Sequence, residues 1–222
     1  MPEGYPATGP AMADCLRKVA AGGLPLRECA EALGLDGLAL LLASDTGLPE
    51  PLHLHGPLAR PLEDLQLVHG EGPGWDAAQR GTTLFVPDLS APAVTRWPGL
   101  TPAVQDLGVR AVFAFPMRIA TVRIGALLGH RRAPGLMTPR QLRDARAFAG
   151  AAAHATLQRN GWLTDRAGLP FAAVHEATGA LVERLGVSPE YALLRLRSHA
   201  FRHDRSLLDT ARAVLGGGLD DV

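Results

Sequence analysis

The chain has very few cysteines and almost no lysine. Only Cys15 and Cys29 are present among its 222 residues, and both lie near the N-terminus among small and apolar neighbours. Two thiols in this setting are too few for a disulfide framework or a zinc site, so we expect reduced thiols in a core. Lys18 is the only lysine, so arginine carries nearly all of the positive charge.

The sequence also lacks a long apolar run and a net charge. No segment approaches the roughly 18 apolar residues of a membrane span, so we expect a cytoplasmic protein without membrane contact. Acidic and basic residues balance at 22 each, which excludes a general attraction to nucleic acid or anionic lipid. A charged partner would therefore have to meet a local patch. With 47% hydrophobic residues, the chain can bury a core without help.

Motifs of catalysis and metal binding are missing from the sequence. None of the five serines lies in a G-x-S-x-G turn, and no pair of carboxylates or of cysteine with histidine is legible. The segment "GEGPGW" fails the dinucleotide-binding spacing at Trp75. His53 and His55 share one face of a predicted strand but would need a third ligand, such as His69 or Glu71, to bind metal. We therefore expect no enzyme, no cofactor and no metal.

Periodicity predicts an α+β region that is followed by helices only. Residues 1–10, rich in Pro, Gly and Ala, are expected to be a disordered tail. Residues 11–160 alternate helices with strands whose connections are too short for parallel crossovers, which predicts a mostly antiparallel sheet with helices on one face. The predicted strands are 37–44, the alternating "PLHLHG", 82–89, 109–119 and 122–132.

The α+β region is predicted to end in a long helix that begins at Thr138. The segment "TPRQ" places Thr at the N-cap, Pro in the first turn and Gln three residues later, which is a capping-box arrangement. Small and apolar residues then recur at spacings of three and four: Leu142, Ala145, Ala149, Ala152, Ala153 and Leu157. A stripe of this kind permits close helix approach, so this helix is our first candidate for a dimer interface.

Residues 161–222 are predicted to form a bundle of three short helices. The first should end at Gly186, and the second should begin with Ser188 as N-cap and Pro189 at the first helical position. The third should begin near Ser206. The inward positions of the second helix are Ala192, Leu193, Leu196 and Ala200. A bundle of this size buries little apolar surface by itself.

Positive charge in this region is confined to the second helix and the start of the third. Seven arginines stand against eight acids over residues 163–222, but five against two over residues 191–212. Side chains at spacings of three and four place one stripe beside the inward face of the second helix: Tyr191, Arg195, His199 and Arg202. An aromatic ring beside arginines suits unpaired RNA bases and phosphates. The competing interpretation is a solvated helix face that pairs with nearby acids such as Glu176, Glu183 and Asp204.

Two parts of the chain resemble known families. Residues 70–82, "GEGPGWDAAQRGT", followed in order by "FVPDL", "RWPG", "GVRAVFAFPMRI" and "RIGALL", resemble the GAF domains of actinobacterial regulators. Residues 171–215, especially "VHEATGALVERLGVSPEYALLRLRSHAF", resemble the ANTAR domain, an RNA-binding three-helix module of transcription antitermination regulators. The resemblance implies a GAF sensor at 11–160 that controls an ANTAR module at 161–222. Such a module is expected to bind stem-loops in nascent transcripts as a homodimer, so that polymerase reads through a terminator.

The stripe and the family resemblance together give a set of candidate RNA-binding residues: Tyr191, Arg195, Arg197, His199, Arg202 and Arg205. Arg197 matches the "LR" pair of the family but projects to a different side of its helix from Arg195. In the GAF-like part, Trp75, Phe113 and Phe115 are candidates for the wall of a small-molecule pocket, although such side chains more often fill a core.

Two other functions are compatible with the sequence. The bundle could be a degenerate ANTAR module that only dimerises or docks onto proteins, because Asp220 and Asp221 near the C-terminus would repel phosphate. A weaker alternative is a catalytic or metal-binding GAF domain built on the His53 and His55 pair.

Overall fold

The computed structural model describes four stretches of the chain: 8–44, 49–91, 95–158 and 168–218. Most of the predicted tail, the predicted junction at residue 160 and the two aspartates near the C-terminus lie outside the described residues.

The strands form one sheet in which every described pairing is antiparallel. They are β1 (Gly37–Leu42), β2 (Glu50–His55), β3 (Leu84–Val86), β4 (Ala111–Ile119) and β5 (Val122–Arg131). Their spatial order is β2-β1-β5-β4-β3, so β1 lies between β2 and β5. The predicted antiparallel sheet is confirmed, although β3 is shorter than the predicted strand at 82–89.

The helices of the described residues begin and end close to the predicted signals. They are α1 (Pro10–Ala20), α2 (Leu26–Leu33), α3 (Ala59–His69), α4 (Pro73–Arg80), α5 (Leu100–Asp106), α6 (Pro139–Gln158), α7 (Ala172–Leu185), α8 (Pro189–Arg202) and α9 (Leu207–Leu215). The predicted capping box of α6 is present, since the amide N–H of Gln141 donates to Thr138 Oγ1 and the amide N–H of Thr138 donates to Gln141 Oε1. Helix α5 was not predicted.

Helices cover both faces of the sheet, so the expectation of helices on one face is wrong. Helices α1, α2 and α6 pack on one face, and α3, α4 and α5 pack on the other. The reason lies in the strands, since Leu38 and Leu40 of β1 face the first set while Ala39 and Leu41 face the second. A nearly continuous apolar strand such as "GLALLL" is typical of a sheet that is buried on both sides.

The alanine stripe of α6 packs inside its own chain. Ala145, Ala149, Ala152 and Ala153 are at most 1% exposed and belong to the core that α6 forms with α1 and β4. Their small side chains let α6 lie close to the sheet. These alanines are therefore not available to a second copy, and a dimer interface through α6 stays a prediction that would have to use its exposed side. Cys15 and Cys29 are free, buried thiols of the same core, as expected.

Helices α7, α8 and α9 form the predicted bundle, and α3 joins it to the sheet. Ser188 is an N-cap as expected, and Ser206, near which the third helix was expected to begin, is one as well, because their hydroxyls accept from the backbone N–H groups of Tyr191 and Asp209. Leu67 and Val68 of α3 belong to the apolar cluster of the bundle. Helix α3 thus lies between the sheet and the bundle. Below, "the α+β domain" means residues 10–158 and "the bundle" means residues 168–218.

Candidate nucleic-acid interface

Four of the predicted RNA-binding residues reach solvent on α8 and just beyond its end. Tyr191 is 49% exposed, Arg202 and Arg205 are exposed, and Arg195 is half-buried. Within the part of the chain that the structure describes, none of these three arginines forms an ion pair with an acid. The competing expectation of a solvated face paired with acids of the bundle is therefore not met. An unpaired exposed guanidinium can meet a phosphate without first breaking an ion pair.

The exposed side of α8 also carries apolar side chains. Leu194 is 51% exposed and Phe201 is 63% exposed. On an α-helix these two positions lie on one side, next to Ser198 and Tyr191. The surface of α8 is therefore a mixed one, in which aromatic and aliphatic groups alternate with arginines. Stacking of unpaired bases on aromatic rings needs a surface of this composition.

His199 does not belong to the exposed stripe, contrary to expectation. It is only 4% exposed, and its ring lies 4.3 Å from that of His203, centroid to centroid. The error arises because α8 is covered on three sides, by α7, α9 and α3. The buried side of α8 therefore includes more positions than the four apolar residues that were expected to face inward. In this conformation His199 packs inside the protein.

Arg197 contacts the α+β domain. Its Nε donates to the carbonyl oxygen of Val68 at 3.4 Å, and its guanidinium lies 5.9 Å from the centroid of the Trp75 ring. Burial lowers the pKa of Arg197. Beside it, the ring of Phe201 meets His69 edge-on, with centroids 5.4 Å apart. Arg197 thus projects away from Arg195, as predicted, and joins the two parts of the chain.

Asp64 of α3 binds the N-terminus of α9. Its two carboxylate oxygens accept from the backbone N–H groups of Leu207 and Leu208, at 2.9 and 3.1 Å. A negative charge at a helix N-terminus is stabilising, because the first N–H groups have no partner within the helix. Burial raises the pKa of Asp64, and the two backbone N–H groups offset part of that rise. Sequence reasoning missed this residue, because its partner lies 143 residues away.

Further polar contacts hold the bundle against the α+β domain. The Arg60 guanidinium donates to the carbonyl oxygen of Pro170 at 2.6 Å and lies 5.8 Å from the Phe171 ring centroid. On the next side of the bundle, His175 Nε2 and the Glu50 carboxylate are hydrogen-bonded. The interface between the two parts therefore combines an apolar centre with five hydrogen bonds. It fixes which side of α8 faces solvent.

Helix α3 buries a second carboxyl group, that of Glu63, one residue before Asp64. Gln66 Nε2 donates to Glu63 Oε2 at 2.8 Å, and Gln66 Oε1 accepts from the N–H of Gly74 at the start of α4. Among the described residues, Glu63 Oε1 has no hydrogen-bond partner. Burial raises the pKa of Glu63 to about 8, so the group is protonated at neutral pH.

The three aromatic residues of the predicted ligand wall do not share a cavity. Phe113 and Phe115 are 1% exposed and face α1, α2 and α6, whereas Trp75 lies on α4 at the opposite face. The prediction of one pocket wall is therefore wrong, because neighbouring elements of the sequence end on different sides of the sheet. Under α3 and α5 the enclosed space beside Leu62 and Val104 is about 10 Å³, enough for one water.

A more open groove of about 310 Å³ runs beside α4. Its lining consists of Gly70, Glu71, Trp75, Asp76, Arg80, Arg96 and Trp97. Asp76 is its central acid, since it pairs with Arg96 at 2.8 Å and with Arg80 at 3.4 Å. Glu71 is engaged elsewhere, because it accepts from two backbone N–H groups at the start of α5.

The structure does not gather a metal site from the predicted histidines. Among the described residues, no three His, Cys, Asp or Glu side chains lie close enough together to hold a metal ion. His69 contacts Phe201, and Glu71 binds backbone N–H groups, so neither completes a site with His53 and His55.

Comparison with known proteins identifies two domain families. The family model described as GAF domain matches residues 25–156, and the one described as ANTAR domain matches residues 172–215. A search among curated proteins found no match. Of the described helices, none combines the length and apolar character that a membrane span requires.

Solved structures resemble the α+β domain. A domain assigned to a two-component sensor histidine kinase from Sinorhizobium meliloti 1021 aligns with a TM-score of 0.51 at 18% identity, over 66% of this chain and 94% of that one. The GAF domain of an Acinetobacter phosphoenolpyruvate-protein phosphotransferase aligns with a TM-score of 0.49 at 8% identity, over 70% and 94%. A GAF domain/HD domain protein from Geobacter sulfurreducens gives 0.45 at 14% identity, over 72% and 98%. The first of these likenesses shows the fold alone.

Proposed function

Because the chain belongs to the GAF domain family and carries an ANTAR domain, we propose that it is a signal-responsive, RNA-binding regulator of transcription antitermination. Both domains are regulatory rather than catalytic. In this proposal the GAF domain senses a signal, and the ANTAR bundle binds stem-loops in nascent transcripts in the cytoplasm. Polymerase then reads through the terminator that would otherwise form.

One observation supports RNA binding above the others: the exposed side of α8 presents arginines that form no ion pair with an acid of the described residues. Arg195 lies one turn from the half-exposed ring of Tyr191, and Arg202 and Arg205 lie at the other end of α8 and just beyond it. Guanidinium groups next to an aromatic ring suit a loop whose bases are unstacked, because phosphates and bases are then met together. Arg197 and His199, in contrast, are expected to act through the packing of α8 on its neighbours.

Two further partners belong to the proposal. Two stem-loops are expected to be bound by two copies of the chain, so we propose a homodimer that uses a surface other than the alanine stripe of α6. The signal is proposed to be a small molecule, and the open groove beside Trp75 is the place for it in the α+β domain.

A salt-dependent titration tests the RNA-binding proposal. Full-length protein is titrated against an RNA with two hexaloop stem-loops, and the Arg195→Ala and Arg202→Ala variants are compared with Arg146→Ala on α6. Each α8 variant is expected to weaken binding about tenfold and to reduce the salt slope by about one. The α6 variant should bind as the wild type does. Wild-type binding no tighter than to random RNA of equal length contradicts the proposal.

A protein-docking role for the bundle is the second candidate function. The observation in its favour is the exposure of Leu194 and Phe201, which a partner protein could cover. Asp220 and Asp221, outside the described residues, would weaken attraction to phosphate. The two candidates differ in salt dependence, because docking through apolar side chains changes little between 50 and 200 mM salt whereas RNA binding falls steeply.

A further inference from the structure

Four arginines of the α+β domain lie along α4, and two of them share one acid. Arg80 and Arg96 both pair with Asp76. Arg118 and Arg123 lie at the C-terminal end of α4, beside Gly81. Their side chains come within 3.8 and 3.5 Å of the position that a Cβ atom on Gly81 would occupy. Among the described residues, neither Arg118 nor Arg123 forms an ion pair. We call Arg80, Arg96, Arg118 and Arg123 the arginine track.

The hairpin places two of these arginines directly opposite each other. Arg118 on β4 and Arg123 on β5 are Cα partners in the antiparallel register. Like charges at opposite positions of two strands are destabilising. The C-terminal end of α4 at Gly81 carries partial negative charge that offsets some of this repulsion. Both side chains nevertheless remain exposed, so an anion bound from outside the chain would relieve most of the repulsion between them.

The track is continuous with the exposed side of α8. Trp75 and Arg80 line the same groove, and Trp75 carries the guanidinium of Arg197 over its ring. Beyond Arg197, the exposed side of α8 continues through Phe201 to Arg202. The distance from α8 to the end of α4 is on the order of 25 Å, the width of one helix plus the length of α4.

We propose that the arginine track is a second contact surface for RNA, which binds the sugar–phosphate backbone of the stem whose loop is bound by α8. This inference rests on the proposed function, and it concerns a part of the chain outside the ANTAR domain. The track carries a net positive charge, because its four arginines stand against Asp76 and Glu71, the two acids that line the same groove. Because these guanidinium groups lie on exposed side chains around an open groove, contact with the sugar–phosphate backbone is favoured over recognition of a particular base.

The docked position of the bundle is what aligns the two surfaces. Asp64 fixes the N-terminus of α9, and Arg197 fixes the middle of α8 against Val68. If the bundle moved away from α3, one stem-loop could no longer contact both α8 and the track. The α+β domain would then change RNA affinity through alignment, without covering Arg195 or Arg202.

The experiment compares two double variants that remove the same charge from the full-length chain. Arg118→Gln/Arg123→Gln alters the track, and Arg143→Gln/Arg146→Gln alters α6 on the opposite face of the sheet. With the stem-loop RNA, the track variant is expected to bind about tenfold more weakly, with a salt slope smaller by one to two. Scrambling the loop sequence should leave the ratio of wild-type affinity to track-variant affinity unchanged. Shortening both stems to a few base pairs should abolish the difference in affinity between the two proteins.

The outcomes separate this inference from the proposed function. If Arg195→Ala weakens binding but the two double variants bind RNA equally, the track is not an RNA surface and the proposed function stands. If the wild type does not discriminate stem-loop RNA from random RNA, both fall. Misfolding is excluded by thermal unfolding, since removal of the Arg118 and Arg123 repulsion is expected to leave the melting temperature unchanged or slightly higher.

Discussion

The two faces of the sheet are covered by helices of similar size but of different chemistry. On the face of α1, α2 and α6, the largest buried side chains are Phe113, Phe115 and Phe148, which are at most 1% exposed. On the other face, α3 buries Glu63 and Asp64 between the sheet and the bundle. The first face is mainly apolar, and its buried carboxyl group, Asp144 of α6, pairs with Arg140 on the same helix at 3.7 Å. The second face has two neighbouring carboxyl groups: Glu63, whose energy depends on protonation, and Asp64, whose energy depends on the position of the bundle.

The largest effect is expected on the apolar face. Phe148→Ala removes a fully buried ring from the core and should destabilise the protein by about 3–5 kcal/mol, which lowers the melting temperature by roughly 10 °C. Thermal unfolding followed by circular dichroism measures this. Phe201→Ala is the matched control, because its ring is 63% exposed, and it should change stability by less than about 1 kcal/mol. Equal losses from both variants would contradict the assignment of the core.

A pH-dependent effect is expected on the polar face. Because burial raises the pKa of Glu63 to about 8, the folded protein keeps a proton that the unfolded chain releases near pH 4.5. The stability from this group is complete below pH 4.5 and is lost as the pH rises through 8. Glu63→Gln keeps the contact with Gln66 and removes that loss, so the variant should be more stable than the wild type at pH 9 by on the order of 3 kcal/mol.

Urea unfolding at pH 5 and at pH 9 tests this difference. The wild type and Glu63→Gln should differ little at pH 5 and diverge as the pH rises. Glu31→Gln on the exposed side of α2 serves as the control and should follow the wild type at both values. A stability difference that is independent of pH would show that Glu63 does not hold a proton in the folded protein.

Local patterns predicted the elements, whereas long-range contacts decided the site. The "TPRQ" cap and the Ser188 cap of α8 act within four residues, so the sequence predicted them correctly. The role of Asp64 depends on a helix 143 residues further along the chain, and no local pattern signals that. His199 was misplaced for the same reason, because contacts of the bundle with α3 widen the buried side of α8. The opposed arginines at 118 and 123 could have been found from the hairpin register alone.

A change at Asp64 tests how the bundle is held. Asp64→Ala removes two hydrogen bonds from the N-terminus of α9 and should destabilise the bundle by about 2 kcal/mol. Faster hydrogen exchange at the amides of α9 measures the loss, and Asp209→Ala, in an exposed pair with Arg212, is the control. Because the docked bundle aligns α8 with the arginine track, Asp64→Ala should also weaken RNA binding. Tighter binding by this variant would mean that docking inhibits RNA recognition.

The smallest effect distinguishes the two capped helices of the bundle. Ser188 Oγ accepts from the backbone N–H of Tyr191 in the first turn of α8, so Ser188→Ala should cost about 1 kcal/mol. Ser206 shares the start of α9 with Asp64, so Ser206→Ala should cost less. In an Asp64→Ala background the cost should rise, because Leu207 is 1% exposed and water cannot readily replace both acceptors at a buried helix end. A double-mutant cycle from urea unfolding measures this coupling, and additivity within about 0.3 kcal/mol would mean that the two acceptors stabilise α9 independently.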